Sequence, residues 1–450
     1  MNQQPKRKPE PSLLEFAAFL AETPSASIPA PLLARAADCV LDCLGAAAAG
    51  SQMAVVGEVA KRMGATMGQG QASIWFTGQK AHPIAAATAN AFAATVLDID
   101  DGHRKAKGHA GAAVVSAALA VAEENGASFL DFLAAVLMGY EAGVRVAVGR
   151  TPERQHDTAS GIWSGIGAAV AAARLSGASA PLMAQTLLIA EQHSPQLASA
   201  MHHGFAGATV KEGIPWSVMT GMYAAQLAET GFTGYPGTFD LPALYQPGAL
   251  SGGQFLAFQG LYFKPYACCR WIHSALDGVT GLMDAHGLDP EAIEEVEVHT
   301  FERAVCLANS TSPETLVDAQ FSIPFCVALA ATRGGQALLP MTPDALSDQA
   351  VLRLARRVRP SFDPEMERLF PALAPARVKL RHRGETFERR VDAAFGDPTN
   401  PMDRNDLRAK FATLAGPVLG ADRIAAIENA LASDATARAS DVRSGLGALL

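Results

Sequence analysis

Aromatic residues are scarce in this 450-residue chain, at 7% with only four Trp and six Tyr. So few large rings, set against a 49% apolar, Ala-rich composition, argue against a sandwich or barrel and for closely packed helices. Cysteine is also sparse. Cys39, Cys43, Cys268, Cys269, Cys306 and Cys326 form no C-x-x-C pair and no disulfide framework, which fits a reducing cytoplasm. An iron–sulfur cluster would need several thiolates brought together, and only Cys268 and Cys269 sit in a site-like context. Positive charge is in deficit: the net charge of −8 makes the whole molecule a poor partner for nucleic acid or an anionic membrane. No uninterrupted apolar run reaches the roughly eighteen residues of a membrane span. The N-terminal apolar patch is interrupted by Glu15, so a first amphipathic helix is expected there rather than a signal peptide.

What the chain has is length and helical texture. Two to three domains are expected at this length. Ala-rich helices are expected over 12–22, 31–49, 53–66, 83–97, 110–124, 128–148, 161–176, 180–196 and 214–230. The breaks between them carry turn chemistry, as at Gly126-Ala127-Ser128. One short strand is expected at 72–78. After Tyr245 the texture changes. Residues 246–253 read as a linker. Val296 and Val298 alternate with Glu295, Glu297 and His299, and Val378 and Leu380 alternate with Arg377, Lys379 and Arg381. That is strand periodicity, and His382-Arg383-Gly384 can turn the second strand into a third through Phe387 and Val391. Helices at 272–286 and 321–333 sit among these strands, and two more at about 404–415 and 422–434 return to the Ala-rich style. The expected fold is therefore mainly α: a large all-helical domain (1–261 and 397–450) with a smaller inserted α+β lid domain (262–396). The arginine-rich stretch from Arg353 to Arg390 reads as solvated faces, the alternative being a positive wall that attracts polycarboxylates.

The chemistry concentrates in AFAATVLDIDDGHRKAKGHAGAAVV (91–115). An apolar helix breaks into Asp98, Asp100 and Asp101, followed by His103 and His109 among Arg104, Lys105 and Lys107. Acids at a helix C-terminus oppose the macrodipole, and burying them between apolar helices is costly unless they are paired. Folding gains little from such a cluster, so it reads as a site. His109, uncrowded between Gly108 and Ala110, suits a general base oriented by Asp98. The interleaved cations argue against a metal centre, and the low aromatic content argues against a carbocation-handling D-x-D-D site. Neither metal nor cofactor is expected. Lys211, alone in a Gly/Ala-rich loop before a helix, suits a carboxylate clamp or an acid–base group. KPYACCRWIH (264–273) packs Lys264, Arg270 and His273 into ten residues. His156, ahead of an apolar helix, is either a cap or a substrate contact.

These stretches, in this order, resemble the MmgE/PrpD family, whose members include 2-methylcitrate dehydratase, cis-aconitate decarboxylase and iminodisuccinate epimerase. LDCLGAAAAGS (41–51), ANAFAATVLDIDDGH (89–103), GHAGAAVVSAALAVAE (108–123), KPYACCRWIH, FSIPFCVALA (321–330) and FGDPTNPMDRNDLRAKF (395–411) carry the resemblance over nearly the whole chain. It implies a helical domain, a smaller α+β lid, a cleft between them, a homodimer and no required cofactor. Asp98 matches the first Asp of the family's D-F-D-D-T/S-H motif, His109 the histidine of its H-P-S/A motif, and Lys211 a lysine ahead of an A/G-rich helix. Lys264 and His273 match the K-P-Y-P-x-C-x-x-x-H stretch, and His156 lies near the F-H-P/S-T histidine. This chain departs at Gly102, usually Thr or Ser, at Ala110-Gly111 in place of Pro-Ser, at Phe325, often Tyr, and across 210–216. Two lost hydroxyls and a lost proline point away from 2-methylcitrate itself.

The expected activity is a hydro-lyase acting on a small hydroxy-polycarboxylate. Asp98, His109, Lys211 and His273 are the expected catalytic residues, and His103, His156, Lys264 and Arg270 the substrate contacts. His109 would take the proton α to a carboxylate, and a second histidine, His273 or His156, would protonate the leaving hydroxyl. An epimerase and a decarboxylase share the first intermediate, and a catalytically silent carboxylate-binding protein is the alternative of another class.

Overall fold

A computed structural model describes residues 11–154, 159–195, 208–252, 254–432 and 441–450. Helices dominate it. The first half runs through α1 (Pro11–Glu22), α2 (Ala30–Gly50), α3 (Ala54–Thr66), the hairpin β1 (Ala72–Ile74) and β2 (Gln79–Ala81), α4 (Pro83–Thr95) and β3 (Gly102–His103). It continues with α5 (Gly111–Asn125), α6 (Phe129–Gly149), α7 (Gly161–Leu175), α8 (Ala180–Gln192) and α9 (Ile214–Glu229). The boundaries fall where local chemistry places them: Pro83, Pro181 and Pro215 stand in first turns, and Gly126 closes α5 at φ 66°. The stretch 72–78 is one strand of a hairpin rather than a single strand, because Phe76 and Gly78 turn the chain with φ of 64° and 71°.

Helices α4, α5 and α7 lie in the middle of this bundle and pack against α2, α6 and α9. Small side chains allow the close approach. The α6 helix is long and apolar enough to cross a membrane by length and composition, yet 94% of its most apolar window is buried among its neighbours. On α7, Gly165 faces Gly221 of α9 so tightly that a Cβ on Gly221 would collide with the Gly165 carbonyl oxygen.

The second half opens with β4 (Leu261–Tyr262), which pairs with β3 so that Tyr262 lies opposite Gly102. It then runs through α10 (His273–His286), β5 (Ile293–Thr300), α11 (Glu302–Val305), α12 (Leu316–Gln320), α13 (Ile323–Arg333) and α14 (Gln349–Ala355). After these come β6 (Val358–Phe362), α15 (Pro364–Glu367), β7 (Ala376–His382), β8 (Glu385–Val391) and α16 (Arg404–Ala432). The sheet order is β6-β5-β7-β8, with β6 parallel to β5 and the other pairs antiparallel. Arg383 and Gly384, both at positive φ, make the two-residue β7–β8 turn that the sequence predicts. Strand β6 is not expected from the sequence, nor are β3, β4 and the short helices α11, α12, α14 and α15; Pro360 is tolerated in β6 because it is an edge strand. Helix α10 covers β7 and β8, and α13 packs on β6. In the arginine-rich stretch, Arg377–Glu365, Lys379–Glu388 and Arg381–Glu294 form exposed ion pairs, which oppose part of its positive charge. Helix α16 bends at Gly420 (φ 72°), close to the break expected there, and lies along α2 in the first half.

Replacing Gly221 by Ala should cost about 3 kcal/mol of stability, because α7 and α9 must separate to admit the methyl group. A lower thermal midpoint is the readout; an unchanged midpoint contradicts the packing.

Candidate active site

Helix α4 ends at Thr95, and Asp98 turns the chain with φ 53°, a conformation Asp tolerates better than most residues. The next residues run inward rather than to solvent: Asp98, Asp100, Asp101, His103 and His109 are all buried. The expected conflict with the α4 dipole is resolved in part by Asp101. Its carboxylate accepts the Gly111 N–H at the start of α5 (3.0 Å), the favourable end of a helix, and the Tyr140 hydroxyl (2.5 Å).

Asp98 is gripped by two lysines. Lys264 Nζ is 2.8 Å from Oδ2 and Lys211 Nζ is 3.4 Å from Oδ1. Burial alone would push the Asp98 carboxyl up, but Lys211, then Lys264 and His109, hold it far below the usual carboxylate range. Burial likewise works against the Lys264 charge, and Asp98 more than offsets it, so its pKa is raised. Lys211 comes from a turn in which Lys211, Glu212 and Gly213 all have positive φ (39°, 57° and 71°). Gln320 fixes its amine at 3.1 Å and donates in turn to the Val96 carbonyl at 3.1 Å. Non-glycine residues at positive φ cost about 1–3 kcal/mol each and persist where their surroundings over-determine them.

His109 is placed by three contacts. Its N–H donates to Ser160 Oγ (2.9 Å), which in turn donates to Glu212. Its Nδ1 lies 2.5 Å from the Asp101 carbonyl oxygen. A carbonyl can only accept, so Nδ1 carries a proton, and in the neutral ring the lone pair is left on Nε2. That lone-pair nitrogen is 3.9 Å from Asp98 Oδ1. The backbone of Asp101, rather than the Asp98 carboxylate, thus orients the imidazole. Burial opposes the imidazolium, but Asp100 first, then Glu212 and Asp98, outweigh it and the opposing Lys264, so the His109 pKa is raised.

A cavity opens onto His109 and Asp98 from between the two halves of the chain. Its polar lining includes His103, Arg104, Arg270 and Asp397, and its apolar lining Trp271, Phe321, Phe370 and Leu373. Lys264 is fully buried and stands behind Asp98 with Lys211, so both lysines hold the aspartate rather than facing the cavity. His103 accepts the Ala106 N–H at Nδ1 (3.1 Å); burial, with Lys105, pulls its pKa down to about 4, so it is neutral. His273 is not brought to the cavity. It is fully buried, its Nε2 lies 3.1 Å from the Cys268 carbonyl, and its ring meets Tyr266 edge-on. Burial, then Arg270 and Lys264, push its pKa well down. His156 lies outside the described residues. Phe325 is buried in α13, away from the cavity lining. Burial, then Asp98, raise the Cys269 thiol to about 12, so this cavity-lining cysteine is no ready nucleophile. Among the described residues no group of three or more His, Cys, Asp or Glu side chains is arranged to hold a metal ion.

Several partners escaped the sequence reading. Lys410 of α16 reaches Asp42 Oδ1 (2.5 Å) and the Ile99 carbonyl (2.7 Å), clamping the aspartate loop from beneath. The signal was present: Leu407, Lys410, Phe411 and Leu414 are one buried stripe, and a lysine within it needs an acid. Gln320, Tyr262 and Asp397 carry no such local signal.

The assembly thus sets an ionised buried aspartate beside an imidazole at the wall of a cavity. The MmgE/PrpD N-terminal domain matches residues 14–255 and the MmgE/PrpD C-terminal domain residues 266–433; the chain belongs to the MmgE/PrpD family. It is 25% identical over 449 residues to a cis-aconitate decarboxylase of Aspergillus terreus (strain NIH 2624 / FGSC A1156), covering 90% of this chain and 89% of the relative. It is also 25% identical over 460 residues to the cis-aconitate decarboxylase-like protein oryM of Aspergillus oryzae (strain ATCC 42149 / RIB 40), covering 93% of each. The family and these relatives point to an enzyme of the lyase type.

Lys410→Met should cost about 3–5 kcal/mol by stranding buried Asp42. The double change with Asp42→Asn should recover most of it, as read from urea unfolding midpoints; a neutral single variant contradicts the clamp.

Proposed function

We propose that the protein is a cofactor-independent hydro-lyase that removes the proton α to a carboxylate of a small hydroxy-polycarboxylate. The observation that carries this reading is the placement of His109, whose Nδ1 lies 2.5 Å from the Asp101 carbonyl oxygen, so that the neutral ring keeps its lone pair on Nε2, 3.9 Å from Asp98. In the cycle, Nε2 takes the α proton, the C–H electron pair forms the double bond, and the β C–O bond breaks. The departing hydroxide takes the proton back from the imidazolium and leaves as water, so His109 serves both steps and no second histidine is required. The charge that develops on the substrate carboxylate lies near the Asp98, Lys211 and Lys264 group, two positive charges against one, fixed in advance in a dry setting. Residues 262–396 act as the lid and 1–261 with 397–450 as the helical body, a reading supported by the cavity drawing its lining from both.

A decarboxylase is the second reading. The relatives' names favour it, as does the raised His109 pKa, because an imidazolium can protonate the carbon from which CO2 has left. Citrate, 2-methylcitrate and cis-aconitate, incubated with the enzyme in D2O and followed by NMR, separate the outcomes. Loss of water supports the hydro-lyase and loss of CO2 the decarboxylase. Deuterium at the α carbon with neither loss indicates an epimerase. Binding without any change in any of the acids indicates a carboxylate-binding protein.

His109→Gln should lower kcat at least 100-fold with an unchanged thermal midpoint. Because the base form is needed, kcat/KM should fall as pH drops through a His109 pKa above the ordinary value of about 6.5. Asp100→Asn should move that acidic limb to lower pH, since Asp100 is the largest influence raising it. A limb that stays in place removes His109 as the titrating base.

We further propose a homodimer in a reducing cytoplasm. All six cysteines are free, and Trp216 and Tyr223, seven residues apart on one face of α9, are 58% and 55% exposed. Trp216→Glu should shift the species seen by analytical ultracentrifugation from dimer to monomer; a wild-type monomer overturns this.

A further inference from the structure

Two cationic groups flank the cavity, one behind Asp98 and one in the lining itself, and both have the same arithmetic. Lys211 and Lys264 share Asp98, and Arg104 and Arg270 share Asp397. Each leaves one positive charge uncompensated. The second group lies further out, where the side chain of Arg104 is 24% exposed.

Asp397 has no capacity left for a ligand, and so acts as the frame. Its Oδ1 accepts from Arg104, from the Thr399 N–H (3.0 Å) and from the Thr399 hydroxyl (2.8 Å), while Oδ2 accepts from Arg270 Nη2 (2.7 Å). The guanidinium of Arg270 also stacks over the Tyr262 ring at 5.0 Å, which fixes its plane. The other terminal nitrogen of Arg270, Nη1, is buried and has no hydrogen-bond partner among the described residues. A buried guanidinium N–H left over in this way is a place for an acceptor from outside the chain.

The position of Tyr262 depends on Gly102. The two are cross-strand partners in the β3–β4 ladder, and a Cβ at 102 would collide with the Tyr262 hydroxyl. The missing side chain at 102 therefore lets the phenol lie across the strand and line the cavity beside Arg270. Trp271, Phe370 and Leu373, which also line the cavity, offer an anion nothing, so an acceptor is drawn to the cationic part of the lining.

We propose that Arg104, Arg270 and the Tyr262 hydroxyl, framed by Asp397, form a second carboxylate subsite that takes the end of the substrate remote from the reacting carbon. This rests on the carboxylate chemistry proposed at His109, and it is tested by binding alone. Calorimetric titration compares crotonate, a monoacid, with glutaconate and 2-hexenedioate, which add a remote carboxylate at two lengths, and with inorganic sulfate. The better diacid should bind at least 10-fold more tightly than crotonate or sulfate. Arg270→Gln should abolish that preference while leaving crotonate within twofold of wild type. Asp397→Asn should weaken diacid binding severalfold while leaving crotonate within twofold of wild type, because both arginines lose the carboxylate that fixes them. A wild type without diacid preference, sulfate binding as tight as the diacid, or an equal loss for both acid classes in Arg270→Gln or Asp397→Asn overturns the subsite. If the diacid preference holds but no acid is turned over, the lyase reading fails and the subsite stands; turnover without the preference does the reverse.

Discussion

An aspartate kept ionised inside the protein is the constraint from which the rest of the site follows. Asp98 cannot hold its charge in a dry interior without Lys211 and Lys264 against it, and neither lysine could stay buried without Asp98. The same requirement propagates downward. Asp42 and Lys410 repeat the pairing beneath the loop, and Lys410 ties that loop to α16 through the Ile99 carbonyl. One connected set of charges therefore joins α2, the end of α4, the turn before α9, the start of the second half and the C-terminal helix. The positive φ values at Asp98, Lys211 and Glu212 are held within this set; they aim side chains inward where relaxed turns would aim them out.

The helical body makes such a network affordable. Ala and Gly at the contacts of α4, α5, α7 and α9 bring backbones close, exclude water and leave little freedom to relax. Water exclusion is what makes a fixed charge effective at a distance of a few ångströms. The four-stranded sheet contributes differently: its arginines pair outward with Glu and Asp, and only the loops and short helices beside it supply cavity walls.

Much of this was legible along the chain. Helices α1 to α9 follow the period of their apolar residues, the β7–β8 turn follows from Arg383-Gly384, and the Asp98–His109 segment announces itself because its charges contradict the helices around it. Less legible was the direction in which each group faces. His273 shares a ten-residue segment with Lys264 and Arg270, yet it turns to the Cys268 carbonyl while Arg270 lines the cavity. Sequence spacing carries no information on such a choice, because the segment passes through a short helical turn at Arg270–Ile272 before α10 begins. Strand β6 was hidden for a related reason: a parallel edge strand with Pro360 shows little alternation.

The amino-acid order by itself determined the helical class, the break in texture near residue 250, and the residue types from which a proton-transfer site could be made, since these rest on local periodicity and on the cost of burying charge. Tertiary structure alone decided who partners whom: that the Asp101 backbone rather than Asp98 holds Nδ1 of His109, that Lys211 and Lys264 stand behind the aspartate, and that Lys410, more than three hundred residues from Ile99, supports the loop. Those outcomes depend on distances between segments remote in the chain, and a hydrogen bond or an ion pair is specified only when both ends have been brought into place.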